Sequence, residues 1–202
     1  VERRLSGFLK EIANAALLPL RLAASHKMLN RLGLRSMRDE RIRAALPHCR
    51  GRLLDIGCGE GNQLVRSYEG PGVGVDVYPW PGVDLICDTE SLPFPDRSFD
   101  TLTILAALNH IPNRLEVLRE CRRVLVPSGL LLVTMIGPLL GKVRHGLAWW
   151  DSDQTERKHA AGELLGMDEK AVGALMEQAG FRVMRRARFV CGLNSLYIAS
   201  AM

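Results

Sequence analysis

Cysteine is sparse in this chain of 202 residues, and its five thiols (Cys49, Cys58, Cys87, Cys121 and Cys191) are an odd number scattered along the sequence. None forms a C-x-x-C pair and no His/Cys cluster has zinc spacing, so no metal site is expected. Such thiols fit a reduced, cytoplasmic protein. No apolar run is long enough to span a bilayer, and the opening residues as given carry no signal-peptide pattern. There is no internal repeat and no low-complexity tract. A P-loop is excluded, because no G-K-[S/T] follows a glycine-rich stretch. What is present is ordinary for a globular domain: 47% hydrophobic and 24% charged residues.

The net charge of +5 is unevenly placed. Residues 1–52 hold 12 Lys/Arg against 4 Asp/Glu, whereas the remainder holds 15 against 18. The basic character belongs to the N-terminal segment. It fits either a solvated helical face or attraction to phosphates, an anionic lipid surface or nucleic acid.

Periodicity divides the chain into a helical extension over residues 1–50 and an α/β domain over 51–202. Leu5, Phe8, Leu9, Ile12, Ala16 and Leu17 recur at helical spacing, and Pro19 is expected to kink or end that helix. A second helix is predicted over Arg38–Leu46, stopping at Pro47. From Arg52 strands and helices alternate. Strands are predicted at Leu53–Ile56, Gly72–Val77, Asp84–Cys87, Thr101–Leu105 and Leu130–Met135. Helices fall at about 61–68 and at Leu115–Leu125, and Pro127-Ser128-Gly129 forms a turn. These strands are apolar on both faces, as in a parallel sheet covered by helices. After Ile136 the chain reads as irregular, with an insert over about 137–165 that contains Trp149 and Trp150. A helix at Asp168–Ala179 ends at Gly180. The last strands, Phe181–Val190 and Ser195–Ala201, are joined by a short link and pair antiparallel.

The most informative stretch is Leu53-Leu54-Asp55-Ile56-Gly57-Cys58-Gly59-Glu60-Gly61-Asn62. An apolar strand runs into three glycines at alternate positions, and glycine lets main chain turn sharply and approach a ligand. Asp76 closes the next strand, where an acid accepts both hydroxyls of a ribose. These two features fit any adenosine cofactor. The dinucleotide fingerprint requires G-x-G-x-x-G, and Asn62 stands where its third glycine belongs, which disfavours a nicotinamide dehydrogenase.

This arrangement resembles the first signature of the class I S-adenosylmethionine-dependent methyltransferases, D-x-G-x-G-x-G followed by an acid ending strand two. Further segments agree in order. Cys87-Asp88-Thr89 resembles the family's adenine-contacting acid and its neighbour. Phe94-Pro95-Asp96-Arg97-Ser98-Phe99-Asp100 resembles its lead into strand four, and Leu108-Asn109-His110-Ile111 its L-H-H-V segment. The run from Arg122 to Gly129 is similar to R-V-L-K-P-G-G, and Ala179-Gly180-Phe181 to its entry into strand six. The resemblance spans about residues 50–200 and is greatest to the small-molecule and quinone-methylating (type 11) subgroup.

The resemblance implies a Rossmann-like three-layer α/β sandwich: a seven-stranded, mostly parallel sheet with an antiparallel last strand, preceded by helices. S-adenosylmethionine is the implied cofactor. Gly57, Cys58, Gly59 and Gly61 would line its methionine part, and Asp55 would hold the loop and its amino group. Asp76 would bind the ribose, with Val77 beside the adenine. Asp88 would take the adenine amino group, with Thr89 adjacent, and Ile104–Leu105 would pass the sulfonium. The implied acceptor is a small or lipid-like molecule, its site shaped by the insert with His145, Trp149, Trp150 and His159 as candidates. His110 is the candidate base, since imidazole titrates near neutrality.

Methyl transfer to a sulfonium's acceptor needs alignment and exclusion of water more than a fixed base. Where some relatives carry N-P-P-Y, or serine or asparagine, this chain has Leu105-Ala106-Ala107-Leu108. That suggests an apolar acceptor pocket, and it also leaves room for a non-catalytic cofactor-binding protein. The basic N-terminus speaks for an RNA- or DNA-directed enzyme, but no nucleic-acid module accompanies it. Its helices are expected to close over the cofactor as a lid or to make weak contact with a membrane surface.

Overall fold

The computed structural model describes residues 11–147 and 162–202. Leu5, Phe8 and Leu9 of the N-terminal stripe, and Trp149, Trp150 and His159, lie outside the described residues.

Residues 11–16 are helical, a turn at Leu17 follows, and the chain re-enters helix as α1 (Leu18–Ala23), with Pro19 in its first turn. Proline is tolerated there because the missing N–H has no helical partner to lose. Helix α2 (His26–Arg31) has no counterpart among the expected elements; Ser25 caps it by accepting from the Met28 amide. Helix α3 (Met37–Ala45) is fixed by a capping box, in which Ser36 and Asp39 each accept the other's amide. A 3₁₀ turn, Leu46–His48, takes up Pro47.

The domain then follows the expected alternation: β1 (Leu53–Ile56), α4 (Gln63–Ser67), β2 (Gly72–Asp76), β3 (Leu85–Ile86), β4 (Phe99–Leu105), α5 (Arg114–Val124), β5 (Leu125–Ile136), α6 (Pro138–Leu147), α7 (Glu169–Gln178), β6 (Phe181–Phe189) and β7 (Asn194–Ala201). Two expectations are corrected. The expected turn at Pro127-Ser128-Gly129 lies within β5, which begins at Leu125 and is accommodated by a register shift against β4 between Phe99 and Thr101. The stretch after Ile136 is not irregular throughout, because α6 occupies Pro138–Leu147. Its glycines and charges mask an apolar pattern that starts behind a helix-initiating proline.

The seven strands are ordered β3-β2-β1-β4-β5-β7-β6. Pairs β1/β2, β1/β4, β2/β3 and β4/β5 are parallel, and β7 is antiparallel to both β5 and β6. Alternate residues feed opposite faces. Leu54, Ile56, Leu131, Val133 and Tyr197 pack with Val117, Leu118 and Cys121 of α5 and Val172 and Met176 of α7. On the other face Leu132, Leu196 and Ile198 pack with Ala45 of α3, and Leu53 packs with Leu64 and Val65 of α4. All four residues of β1 are therefore buried. The order of strands reverses between β1 and β4, and in such sheets the crevice at the carboxyl ends of those strands is the binding position.

Candidate functional site

At that crevice lies a cavity of about 610 Å³, within the range of about 300–1,000 Å³ found for small-molecule sites. Its floor is the loop leaving β1. The amides of Gly57 and Cys58 both donate to the Val75 carbonyl, at 2.9 and 3.1 Å, which ties the loop to β2. Gly57 adopts φ +69°, and a Cβ there would stand 2.5 Å from that of Ala107. Both the left-handed conformation and the close approach demand glycine. Asn62, at the position of the absent third glycine, adopts the left-handed region itself, with φ 47°. Asparagine tolerates this, and its buried amide donates to Asp84 Oδ2 at 2.6 Å.

Two carboxylates face the cavity. Asp76 is buried; its Oδ2 accepts from the Gly59 amide and its Oδ1 from the Tyr78 amide, each at 3.0 Å. A carboxylate has about four acceptor positions, and these two amides fix its plane. Asp55 is also buried and accepts from Thr103 Oγ1 at 2.6 Å. Burial pushes its carboxyl up to about 7, the Asp76 charge adds to the rise, and the Thr103 hydroxyl opposes it. A site that strains to keep a carboxylate charged is one that a cation would relieve.

The walls are built from several elements. Val77 and Thr89 line one side, joined by Trp80, whose ring lies 4.2 Å from that of Tyr78 between centroids. Leu105, Ala106 and Ala107 line another, with Ala106 held at φ 58°. His110 lies on a 3₁₀ turn, Leu108–His110, after β4, and it too lines the cavity. The roof comes from the N-terminal helices through Arg21, His26, Met37, Arg38 and Ile42. Arg38 donates to the Glu60 carbonyl in the glycine loop at 3.0 Å. The buried Arg21 guanidinium donates to the carbonyls of Asn14 and Arg35 and to Glu40, which lies at 2.5 Å. Burial, then the Arg38 charge, holds His26 below its ordinary value. Burial raises the Cys58 thiol, which keeps it protonated and unreactive.

The structure brings together most of the residues selected from sequence: Asp55, Gly57, Cys58, Gly59, Asp76, Val77, Thr89, Leu105 and His110 all line this cavity. Three do not. Ile104 is fully buried in the core, because adjacent residues of β4 face opposite sides and Leu105 is the one turned to the cavity. Gly61 lies behind the loop, its amide donating to the Pro81 carbonyl at 2.7 Å. Asp88 is outside the lining; its Oδ1 accepts from the Glu90 amide in a local turn. His145 falls within α6, and its side chain is outside what the structure describes. Sequence reading missed Trp80, the arginines of the roof and Glu163, whose Oε2 is 3.2 Å from His110 Nδ1. Only the proximity of Trp80 to Asp76 in sequence was a usable signal.

The cavity suits an adenosine-bearing cation: open main chain at Gly59, an oriented carboxylate at Asp76, and a second carboxylate at Asp55 below.

Comparison with known proteins agrees. A methyltransferase-domain family model matches residues 26–185. The ubiquinone/menaquinone biosynthesis C-methyltransferase of Paraburkholderia phymatum is 27% identical over 129 residues, covering 57% of this chain and 53% of that protein. The 27-O-demethylrifamycin SV methyltransferase of Amycolatopsis mediterranei is 35% identical over 112 residues, covering 46% of this chain and 41% of that protein. The matched region thus spans about half the length of these two relatives. A SAM-dependent methyltransferase from Thermotoga maritima shares the fold, with a TM-score of 0.63 at 18% identity over 81% of this chain and 88% of its own. With the motif order, the strand order and the family match in agreement, the chain belongs to the class I S-adenosylmethionine-dependent methyltransferases.

Proposed function

We propose that this protein transfers a methyl group from S-adenosylmethionine to a small, largely apolar acceptor. The observation that carries the reading is the cavity at the end of β1, where Asp55, Gly57, Gly59 and Asp76 converge beside the apolar wall of Leu105, Ala106 and Ala107. When bound, the cofactor supplies an electrophilic methyl group. Asp76 binds the ribose hydroxyls and Asp55 the amino group of the methionine part. Val77 and Thr89 flank the adenine. Gly57 and Gly59 let the main chain lie against the methionine part. The apolar wall aligns the acceptor and excludes water.

The relatives support a small acceptor, since by name they act on quinone precursors and on a rifamycin. The N-terminal helices act as a lid over the cofactor rather than as a surface for membrane or nucleic acid. Arg38 reaches the glycine loop from the lid, and α1 packs against α6 of the acceptor-side insert. His145, Trp149, Trp150 and His159 of that insert are assigned to the acceptor side of the site. Calorimetry with S-adenosylhomocysteine, with NADH as control, tests the cofactor. Binding of the first alone is expected; binding of NADH alone would overturn the reading.

A further inference from the structure

Two buried side chains that the cofactor does not use carry polar atoms without a hydrogen-bond partner. Thr134 of β5 is fully buried and its Oγ1 is unpaired. Asn194, the first residue of β7, is 1% exposed, and neither its Oδ1 nor its Nδ2 has a partner. Buried polar groups are normally satisfied, and a dry primary amide is a costly exception. The fold does not need either side chain for its backbone. Thr134 is held in the ladder opposite Leu105 and Leu196, and Asn194 opposite Ile136 and Phe189. Valine and leucine would fill the same space without the cost of burying polar atoms.

The register brings the two side chains together beside the cavity. Residues two apart on a strand share a face. Thr134 follows Leu132 by two and Asn194 precedes Leu196 by two, and Leu132 and Leu196 pack on the α3 side of the sheet. Leu105 and Ile136, the ladder neighbours of Thr134 and Asn194, both line the cavity. Diagonal neighbours on an antiparallel pair stand about 7–8 Å apart, so one oxygen atom between the two polar ends is within reach of both.

We propose that Thr134 and Asn194 form the polar end of the acceptor site and bind one neutral oxygen substituent, a hydroxyl or carbonyl set away from the atom that is methylated. This rests on the methyltransferase reading above. Asn194 Nδ2 donates to the oxygen. The Thr134 hydroxyl donates to a carbonyl or accepts from a hydroxyl, and Asn194 Oδ1 is a second acceptor for the latter. Neither side chain is charged, and a neutral group is desolvated far more cheaply than a carboxylate or phosphate. The apolar body of the acceptor lies on Leu105, Ala107 and Ile136, and the Ile136 side chain swings aside to admit the polar end. A site built to bond a hydroxyl rejects the analogue that lacks it, because its own polar groups then stay unpaired. The pair therefore selects the acceptor and leaves the cofactor untouched.

The test uses the full chain, labelled with 15N-asparagine and saturated with S-adenosylhomocysteine, with anaerobic 1,4-naphthoquinol and naphthalene as probes. The Asn194 side-chain amide resonances should move on adding the quinol and not on adding naphthalene. By titration calorimetry the quinol should bind at least about tenfold more tightly than naphthalene, and Thr134→Val and Asn194→Leu should each remove most of that advantage. Thr134→Ser keeps the hydroxyl and should hold quinol affinity within about threefold of the parent. In urea, Thr134→Val and Asn194→Leu should unfold at the parent's midpoint or above it. Equal affinity for the two probes overturns the proposal, as does an unmoved Asn194 amide that shows contact with an internal water only. Variants that unfold at clearly lower urea with quinol affinity unchanged also overturn it, since the pair would then serve the fold. Failure of both probes to bind while S-adenosylhomocysteine binds overturns the assigned acceptor chemistry alone, whereas failure of S-adenosylhomocysteine itself overturns the methyltransferase reading.

Discussion

Asp55 should make the unliganded protein less stable as pH rises, and the size of the effect follows from its burial. Its carboxyl stands at about 7 in the folded chain against an ordinary 3.8. The folded state therefore holds a proton that the unfolded chain has already released between those values. Below about pH 4 both states are protonated and the group contributes nothing. As pH climbs, unfolding releases a proton, stability falls, and the penalty is complete above about pH 7. At 1.36 kcal/mol per pH unit the full penalty is on the order of 4 kcal/mol. Asp55→Asn removes the charge, and the substituted side chain keeps an oxygen that can accept the Thr103 hydroxyl, which now bonds Asp55 at 2.6 Å. Asp55 is among the residues that line the cavity. The variant should be more stable than the parent at pH 8 by about 2 kcal/mol or more, raising Tm by roughly 4–8 °C. Near pH 5 the gap should shrink to well under half of that. Calorimetric scans of both proteins, without cofactor and at matched ionic strength from pH 5 to 8, read the difference directly. A difference that stays constant with pH, or a variant less stable at pH 8, would refute the reasoning. The same variant should bind S-adenosylhomocysteine more weakly, as expected where stability is given up at a binding site.

Three further outcomes follow from the site. Asp76→Ala should weaken S-adenosylhomocysteine at least tenfold by titration calorimetry, on the order of 1.4 kcal/mol, from lost charge-assisted hydrogen bonds; unchanged affinity in a folded variant removes Asp76 from the ribose. Gly57→Ala places a methyl against Ala107 in a left-handed backbone, so it should destabilise the fold by about 2 kcal/mol or more in urea titration. Gly74→Ala would drive its Cβ into the Asn62 amide, and the resulting loss, about 1–3 kcal/mol, should be smaller in an Asn62→Gly background; equal losses in both backgrounds would contradict the packing.

The cofactor floor was legible because its geometry is local. β1, the glycine loop and the end of β2 are fixed by short segments, and the register that pairs Ile56 with Val75 brings the loop to Asp76 without distant help. Where the outcome depended on parity or on tertiary approach, the sequence was mute or misleading. Ile104 and Leu105 are equivalent in composition, and only the burial of β4 decides which faces the cavity. Asp88 sits beside the expected segment, yet its side chain turns onto its own backbone at Glu90. The 610 Å³ cavity owes its roof to helices whose stripes are too short to read, and α2 has only six residues. Glu163 reaches His110 across a separation of 53 residues, which no local pattern encodes.

The basic N-terminal segment is where sequence and structure pull furthest apart. A charge surplus on a helix usually denotes a solvated face. Here several of its guanidinium groups are turned inward. Arg21 and Arg35 share Glu40, Arg35 also pairs with Glu11, and Arg38 bonds the main chain of the glycine loop. Arg21 is buried and Glu40 nearly so, and each keeps a second partner, Glu40 in Arg35 and Arg21 in the carbonyls of Asn14 and Arg35. Charges committed in this way are poor bait for an anionic membrane, whose attraction of about 1 kcal/mol per exposed Lys/Arg would have to compete with them. They are well placed to define how the helices sit over the cofactor loop. Arg21 and Arg35 fasten the helices to one another, and Arg38 fastens them to the glycine loop.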